Sequence, residues 1–270
     1  MQISVRGLTF DVHVGGSDGG APVLLLHGFP QHAGEWSVMA PLLHAYGLTT
    51  IAFDQRGYSP GARPAEVRDY ATPELVADAL AVLDALEVPS AHLVGHDWGA
   101  IVGWHLAADH ADRIRTYTAV SVPHPGAMAS ALADDADQRE RSSYIALFRQ
   151  EGKAEEVLLA DDAKRLRAMF AGCPPERVDS YLDRMREPGA LTAALNWYRA
   201  GLSAPGEVDV PTTYVWGDRD IAVGAVAARR CADWVRPSYR FVPLTGFSHW
   251  LPDEAPAELA EAVYAQATAG

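Results

Sequence analysis

The pentapeptide Gly95-His96-Asp97-Trp98-Gly99 sets one acid between two glycines. It follows the apolar run His92–Val94 and precedes a segment, Trp98–Ala108, that reads as helix. Small-x-acid-x-small at a strand-to-helix junction has the form of a nucleophile elbow. Such a turn is sharp, and its flanking residues must be small because the helix passes close to the strand. The middle side chain then projects above the sheet edge, at the positive end of the helix. An ordinary helix cap would also use an acid, but it would not need both glycines. A carboxylate in this place is ionised at neutral pH and needs no base to activate it. Attack on an acyl carbon would form a high-energy mixed anhydride. Attack on a tetrahedral carbon with a displaceable group forms an alkyl ester of Asp97, which water and a base must then hydrolyse.

A base candidate is His249, in Gly246-Phe247-Ser248-His249-Trp250. Two acids that could orient it, Asp218 and Asp220, follow the apolar run Thr212–Trp216. The segment after the strand ending near Ser121 offers no carboxylate. There is no His-Glu-x-x-His, and neither the histidines nor Cys173 and Cys231 show metal-ligand spacing. No metal and no cofactor is expected.

The elements that must position these groups alternate. Ile3–Val5 and Phe10–Val14 read as a hairpin pair. Val23–Leu26 and Thr50–Phe53, like His92–Val94, are short apolar runs typical of strands buried on both faces. Thr72 is expected to cap a helix that carries Pro73 in its first turn and an apolar face of Leu75, Ala79, Val82, Leu83 and Leu86. Thr116–Val122 adds a strand. This alternation predicts an α/β fold, a mostly parallel sheet with helices on both faces.

After Pro123-His124-Pro125-Gly126 the pattern changes. Ser130 to about Leu202 reads as helical, with breaks at Cys173-Pro174-Pro175 and Pro188-Gly189. Strand Pro211–Trp216, helix Ala222–Trp234, strand Tyr239–Val242 and helix Ala257–Ala267 then close the chain. The expected organisation is a core of residues 1–125 and 206–270 with a helical cap, 126–205, over the carboxyl ends of the strands, where sheets of this kind bind ligands.

The chain has 270 residues, 49% hydrophobic, and a formal charge of −13. An acidic surface argues against nucleic acid and anionic membranes as partners. No run approaches the ~20 apolar residues of a membrane helix, and the first residues lack the basic and apolar regions of a signal peptide. Two cysteines far apart suit a reducing cytoplasm, and a chain rich in Arg but poor in Lys suggests a bacterial gene.

Together, His27-Gly28-Phe29-Pro30, Asp54-Gln55-Arg56-Gly57-Tyr58-Ser59, Val94 through Gly99, Gly217-Asp218-Arg219-Asp220 and Gly246 through Trp250 resemble the epoxide hydrolases of the α/β-hydrolase superfamily. The resemblance spans essentially the whole chain. It implies that fold, the chain order nucleophile, acid, histidine, and Asp220 over Asp218 by the Gly-x-x-Asp spacing. It also implies an oxyanion hole from the backbone N–H groups of Phe29 and Trp98. The tight turn at Pro30 suits a cis peptide. Tyr144 and Tyr198 resemble the two cap tyrosines that bind the epoxide oxygen. Phe29, Trp98, Trp197 and Trp250 are expected to wall a pocket for a small apolar epoxide, which would leave as a vicinal diol. Haloalkane dehalogenases also follow the nucleophile with Trp, but typically carry Asn where Phe29 stands. Fluoroacetate dehalogenases place Arg where Trp98 stands. A non-catalytic binder of the same fold would not need nucleophile, base and acid together.

Overall fold

The apolar runs pair into one sheet. The computed structural model describes residues 1–236 and 238–268; positions 237, 269 and 270 of the expected core lie outside the described residues. The strands are β1 (Gln2–Val5), β2 (Leu8–Gly16), β3 (Ala21–Leu26), β4 (Leu48–Phe53), β5 (Ala91–His96), β6 (Ile114–Val120), β7 (Thr212–Gly217) and β8 (Tyr239–Leu244). Their order is β1-β2-β4-β3-β5-β6-β7-β8. The β1–β2 and β2–β4 pairings are antiparallel and the rest are parallel. The α/β reading of the sequence is borne out.

Strand periodicity divides the core. Leu24, Leu26 and Leu93 point into one apolar cluster, and Val23, Leu25 and Val94 into another on the opposite face. The central strand β5 is therefore buried along its whole length. Helices α1 (Met39–Ala45), α2 (Thr72–Ala85) and α3 (Trp98–Asp109) lie in the first half of the chain. Between β6 and β7 come α4 (Pro125–Asp134), α5 (Ala136–Arg141), α6 (Ile145–Phe148), α7 (Lys153–Ala168), α8 (Pro175–Arg186) and α9 (Ala190–Ala200). Helices α10 (Ala225–Arg230), α11 (Leu251–Glu254) and α12 (Pro256–Ala267) complete the fold. None of the described helices is long and apolar enough to cross a membrane.

Three local expectations are corrected. Thr72 is the first helical residue of α2, not its cap; Ala71 takes the cap position and the Thr72 hydroxyl has no partner among the described residues. The helix expected from Ala222 starts only at Ala225 and ends as a 3-10 turn, Cys231–Trp234. Its would-be first turn is held by the Asp220 carboxylate, which accepts from the N–H groups of Ala222 and Val223. The helical run between β6 and β7 also reverses hand inside α7, where Asp161, Asp162 and Ala163 have φ of 50°, 58° and 58°. Aspartate tolerates that region because its short polar side chain bonds locally; buried Ala163 has no such compensation.

Polar latches fix the helical segment to the sheet. Arg184 pairs with Asp54 at 3.0 Å, Arg177 with Asp253 at 2.7 Å, and the Trp197 indole donates to the Arg56 carbonyl at 2.9 Å. Arg56 in turn is gripped by Asp78 through Nε at 2.6 Å and Nη2 at 2.8 Å. Asp78 is only 1% exposed. Removing one partner of such a pair strands a buried charge. Asp78→Ala should lower unfolding free energy by about 3–5 kcal/mol, read as a shifted midpoint in urea denaturation; a loss near zero would show that Arg56 finds another partner.

Candidate active site

The elbow forms where the sequence places it. Asp97 has φ 50° and ψ −115°, a conformation that costs a non-glycine residue ~1–3 kcal/mol and persists only when its surroundings enforce it. The enforcement is close packing. A Cβ on Gly95 would run into the Gly99 carbonyl, and one on Gly99 into the Leu26 carbonyl. Gly28 is bare for a related reason: a Cβ there would strike the Asp97 side chain.

The loop after β3 reaches over this turn. The Phe29 N–H donates to Asp97 Oδ1 at 2.8 Å, and the Phe29–Pro30 peptide is cis. Trp98 opens α3, where first-turn N–H groups have no partner within the helix. The loop is braced from β4: the Gln55 N–H donates to His27 Nε2 at 2.9 Å, and the Gln55 amide donates to the His27 carbonyl at 2.6 Å. His27 Nδ1 then donates to the Gly28 carbonyl at 3.1 Å. Burial lowers the pKa of this histidine to about 4, so it is a neutral strut.

His249 comes from the loop after β8. Its Nε2 lies 3.3 Å from Asp97 Oδ2 and its Nδ1 2.9 Å from Asp220 Oδ2. The two sequence candidates for the acid separate by geometry. Asp220 is buried against the imidazole, whereas Asp218 is exposed and accepts the Gly246 N–H at 2.7 Å, tying down the start of the same loop. The far side of the loop is pinned by its own carbonyl: His249 O accepts from Ser121 Oγ at 2.8 Å and from His96 Nε2 at 2.9 Å.

Electrostatics follow from these contacts. Burial alone would lower the His249 pKa, but the Asp220 and Asp97 carboxylates outweigh it and raise it to about 10. For Asp97, burial favours the neutral form, and His249, His96 and the Phe29 N–H together reverse this and lower its pKa. At rest the site therefore holds an imidazolium between two carboxylates.

Two adjoining cavities, or lobes, meet at Asp97. One, of about 180 Å³, is walled by Phe29, Leu147, Phe148, Leu158, Met169 and Trp250. The other, of about 260 Å³, is walled by Trp98, Ile101, Met128, Leu132 and Ile145. Asp97, Tyr144, Tyr198 and Ala222 border both. Tyr198 sits edge-on to Phe29 and Trp98, with ring centroids 5.3 and 5.0 Å away. Burial, joined by the Asp97 charge, raises the pKa of both phenols, so both remain protonated.

Of the four aromatic residues expected as walls, Phe29, Trp98 and Trp250 line a lobe. Trp197 lines neither and is corrected to a structural residue: fully buried, it packs behind Trp98 at 5.6 Å and latches to Arg56. The apolar lining from α4, α6 and α7 went unread in the sequence. A signal was present, since Tyr144, Leu147 and Phe148, and likewise Met128 and Leu132, fall at helical i, i+3, i+4 spacing. Among the described residues no three His, Cys, Asp or Glu side chains gather to hold a metal ion.

A family model described as alpha/beta hydrolase fold matches residues 21–256. Epoxide hydrolase A of Mycobacterium tuberculosis is 31% identical across 97% of this chain and 94% of its own length. An AB hydrolase superfamily protein, YfhM, of Bacillus subtilis is 33% identical across 94% and 93%. The crystal structure of Epoxide Hydrolase A from Mycobacterium thermoresistibile matches with a TM-score of 0.85 at 26% identity, over 98% of this chain and 97% of that one.

The charge on His249 can be titrated. Its raised pKa gives stabilisation that is fully present below the ordinary histidine value and lost as pH rises through about 10. In Asp97→Asn one of the two supporting charges is gone, so the imidazole titration followed by NMR should move down by at least a unit; an unmoved titration would show that Asp220 alone sets it.

Proposed function

We propose that this chain, which belongs to the α/β-hydrolase family as one of its epoxide hydrolases, opens an epoxide to a vicinal diol through a covalent ester on Asp97. The observation that carries this reading is the position of two protonated phenols, Tyr144 and Tyr198, which border both lobes together with Asp97. Ring opening produces an alkoxide, a poor leaving group unless an acid is aimed at it. Residues 126–205 act as the cap that delivers these phenols to the core of 1–125 and 206–270. The apolar lobes suit a small epoxide with an apolar arm on each side. Phe29 offers only a hydrocarbon ring where a dehalogenase would present an amide to a halide.

The steps follow from the contacts. Tyr144 and Tyr198 donate to the epoxide oxygen. Asp97 Oδ2 attacks one ring carbon while Oδ1 stays on the Phe29 N–H. The carbon–oxygen bond breaks, and one phenol gives its proton to the alkoxide. Esterification removes the Asp97 charge, so only Asp220 still supports the imidazolium. The His249 pKa falls, and the proton it releases restores the phenol. Neutral His249 then takes a proton from water as the hydroxide adds to Asp97 Cγ. The oxyanion that develops on Oδ1 is held by the Phe29 and Trp98 N–H groups. Collapse breaks the ester bond, the proton of the regenerated carboxyl passes to the departing alkoxide, and the diol leaves. No cofactor enters any step. The unbonded Cys173 and Cys231 suit a bacterial cytoplasm.

Single turnover in ¹⁸O-water should place label in the Asp97 carboxyl, with the diol unlabelled; label appearing directly in the diol would overturn the ester route. His249→Gln should accumulate an alkyl-enzyme visible by intact mass, absent in Asp97→Ala. Replacing Tyr144 and Tyr198 together by Phe should slow ring opening by about 10²–10⁴-fold, read as the rate of alkyl-enzyme formation; an unchanged rate would overturn their role.

A further inference from the structure

Behind the elbow lies a titratable pair that the steps above do not use. Glu35 and His96 are both 0% exposed. His96 Nε2 is 2.9 Å from the His249 carbonyl, which can only accept, so that nitrogen carries a hydrogen. Its other nitrogen, Nδ1, is 3.4 Å from Glu35 Oε2. One proton is therefore shared along that line. Two forms are possible: an imidazolium facing a carboxylate, or a neutral imidazole accepting from a carboxylic acid.

The surroundings decide between them. Glu35 Oε1 has no hydrogen-bond partner among the described residues. The Gly28 backbone N–H favours the ionised form, but an ionised carboxylate with one bare oxygen would still leave a buried charge poorly satisfied, whereas a neutral acid loses much less. The charges facing Glu35 are mostly of the wrong sign. Asp253 and Asp97 disfavour its ionisation, and Arg177, the cation near it, spends its Nε on Asp253 and its Nη2 on the Glu35 backbone carbonyl. On the other side, the His96 ring lies tilted 5.2 Å from the His249 imidazolium, which disfavours a second cation. Burial first and these charges second push the Glu35 carboxyl well up and bring His96 down to about 4.

We propose that Glu35 is a positioning residue kept in its neutral acid form, which donates to His96 Nδ1 and so fixes the tautomer whose Nε2–H grips the His249 carbonyl. The chain of contacts joins three site loops: the one after β3 supplies Glu35, the elbow supplies His96, and the one after β8 is held. The neutral form has an electrostatic purpose as well. A third carboxylate behind Asp97 would oppose the oxyanion that forms when the ester is hydrolysed. That part of the role rests on the ester mechanism proposed above; the protonation state does not.

The test has one arm for each part. An infrared difference spectrum of the resting enzyme against Glu35→Gln at neutral pH should show a carboxylic-acid C=O band lost in the variant. Glu35→Ala should slow decay of the alkyl-enzyme by about 10–100-fold. Glu35→Gln, uncharged and able to donate through its amide, should restore most of that rate. Absence of the acid band, or a Gln variant as slow as the Ala variant, overturns the proposal. Should Glu35→Ala fail to fold, the band and the rate of the Gln variant decide it alone. The band needs no substrate, so an enzyme that turned over no epoxide would overturn the functional reading and leave the protonation of Glu35 standing.

Discussion

The structure depends on one buried cation held between two buried carboxylates. Isolated, Asp97 and His249 would each be driven by burial toward the neutral form. Together they stay charged, and each charge supports the other. This makes the site strict about geometry. A shift of the imidazole away from either oxygen would weaken the support for its proton and for both carboxylates. The effort spent on fixing the His249 loop is accordingly large: Ser121 and His96 hold its carbonyl, and Asp218 holds the strand-side end at Gly246.

That strictness explains the motifs around the triad. The Asp54–Ser59 segment contains no group that touches a reacting atom in the proposed steps. It braces the Phe29 loop through Gln55 and His27, receives Arg184 of α8 through Asp54, and anchors Arg56 on Asp78. A chemical site of a few atoms is thus specified by contacts among the residues that follow several strand ends.

The fold, and the meeting of three of the expected site residues, were legible for physical reasons. Strands buried on both faces leave continuous apolar runs, and an elbow needs glycines where helix and strand collide. Asp97 follows from such constraints; His249 and the choice of Asp220 over Asp218 lean on the family resemblance as well. Other features left weaker traces. Thr72 is a good cap by residue type, yet Ala71 takes the cap position instead. Trp197 and Trp98 are the same residue type, and only packing shows that one screens the other from the cavity. The start of α10 differs from the expectation because the Asp220 carboxylate, which contacts His249 through one oxygen, is a local backbone acceptor through the other. Glu35 carries no motif at all; its meaning appears only once its neighbours are known.

The division of the cavity at Asp97 has a stereochemical consequence. A nucleophile at the end of a single pocket reaches whichever carbon the pocket presents. In the proposed reaction a ring at this junction would lay one arm in each lobe, so the arm that fits the larger space would decide which carbon faces the carboxylate. Regiochemistry then becomes a property of Met128 and Leu132 on one side and Leu158 and Met169 on the other. None of these belongs to the triad. In the proposed reaction, selection acting on side chains of the helices between β6 and β7 could invert the handedness of the product while the chemistry beneath stayed the same.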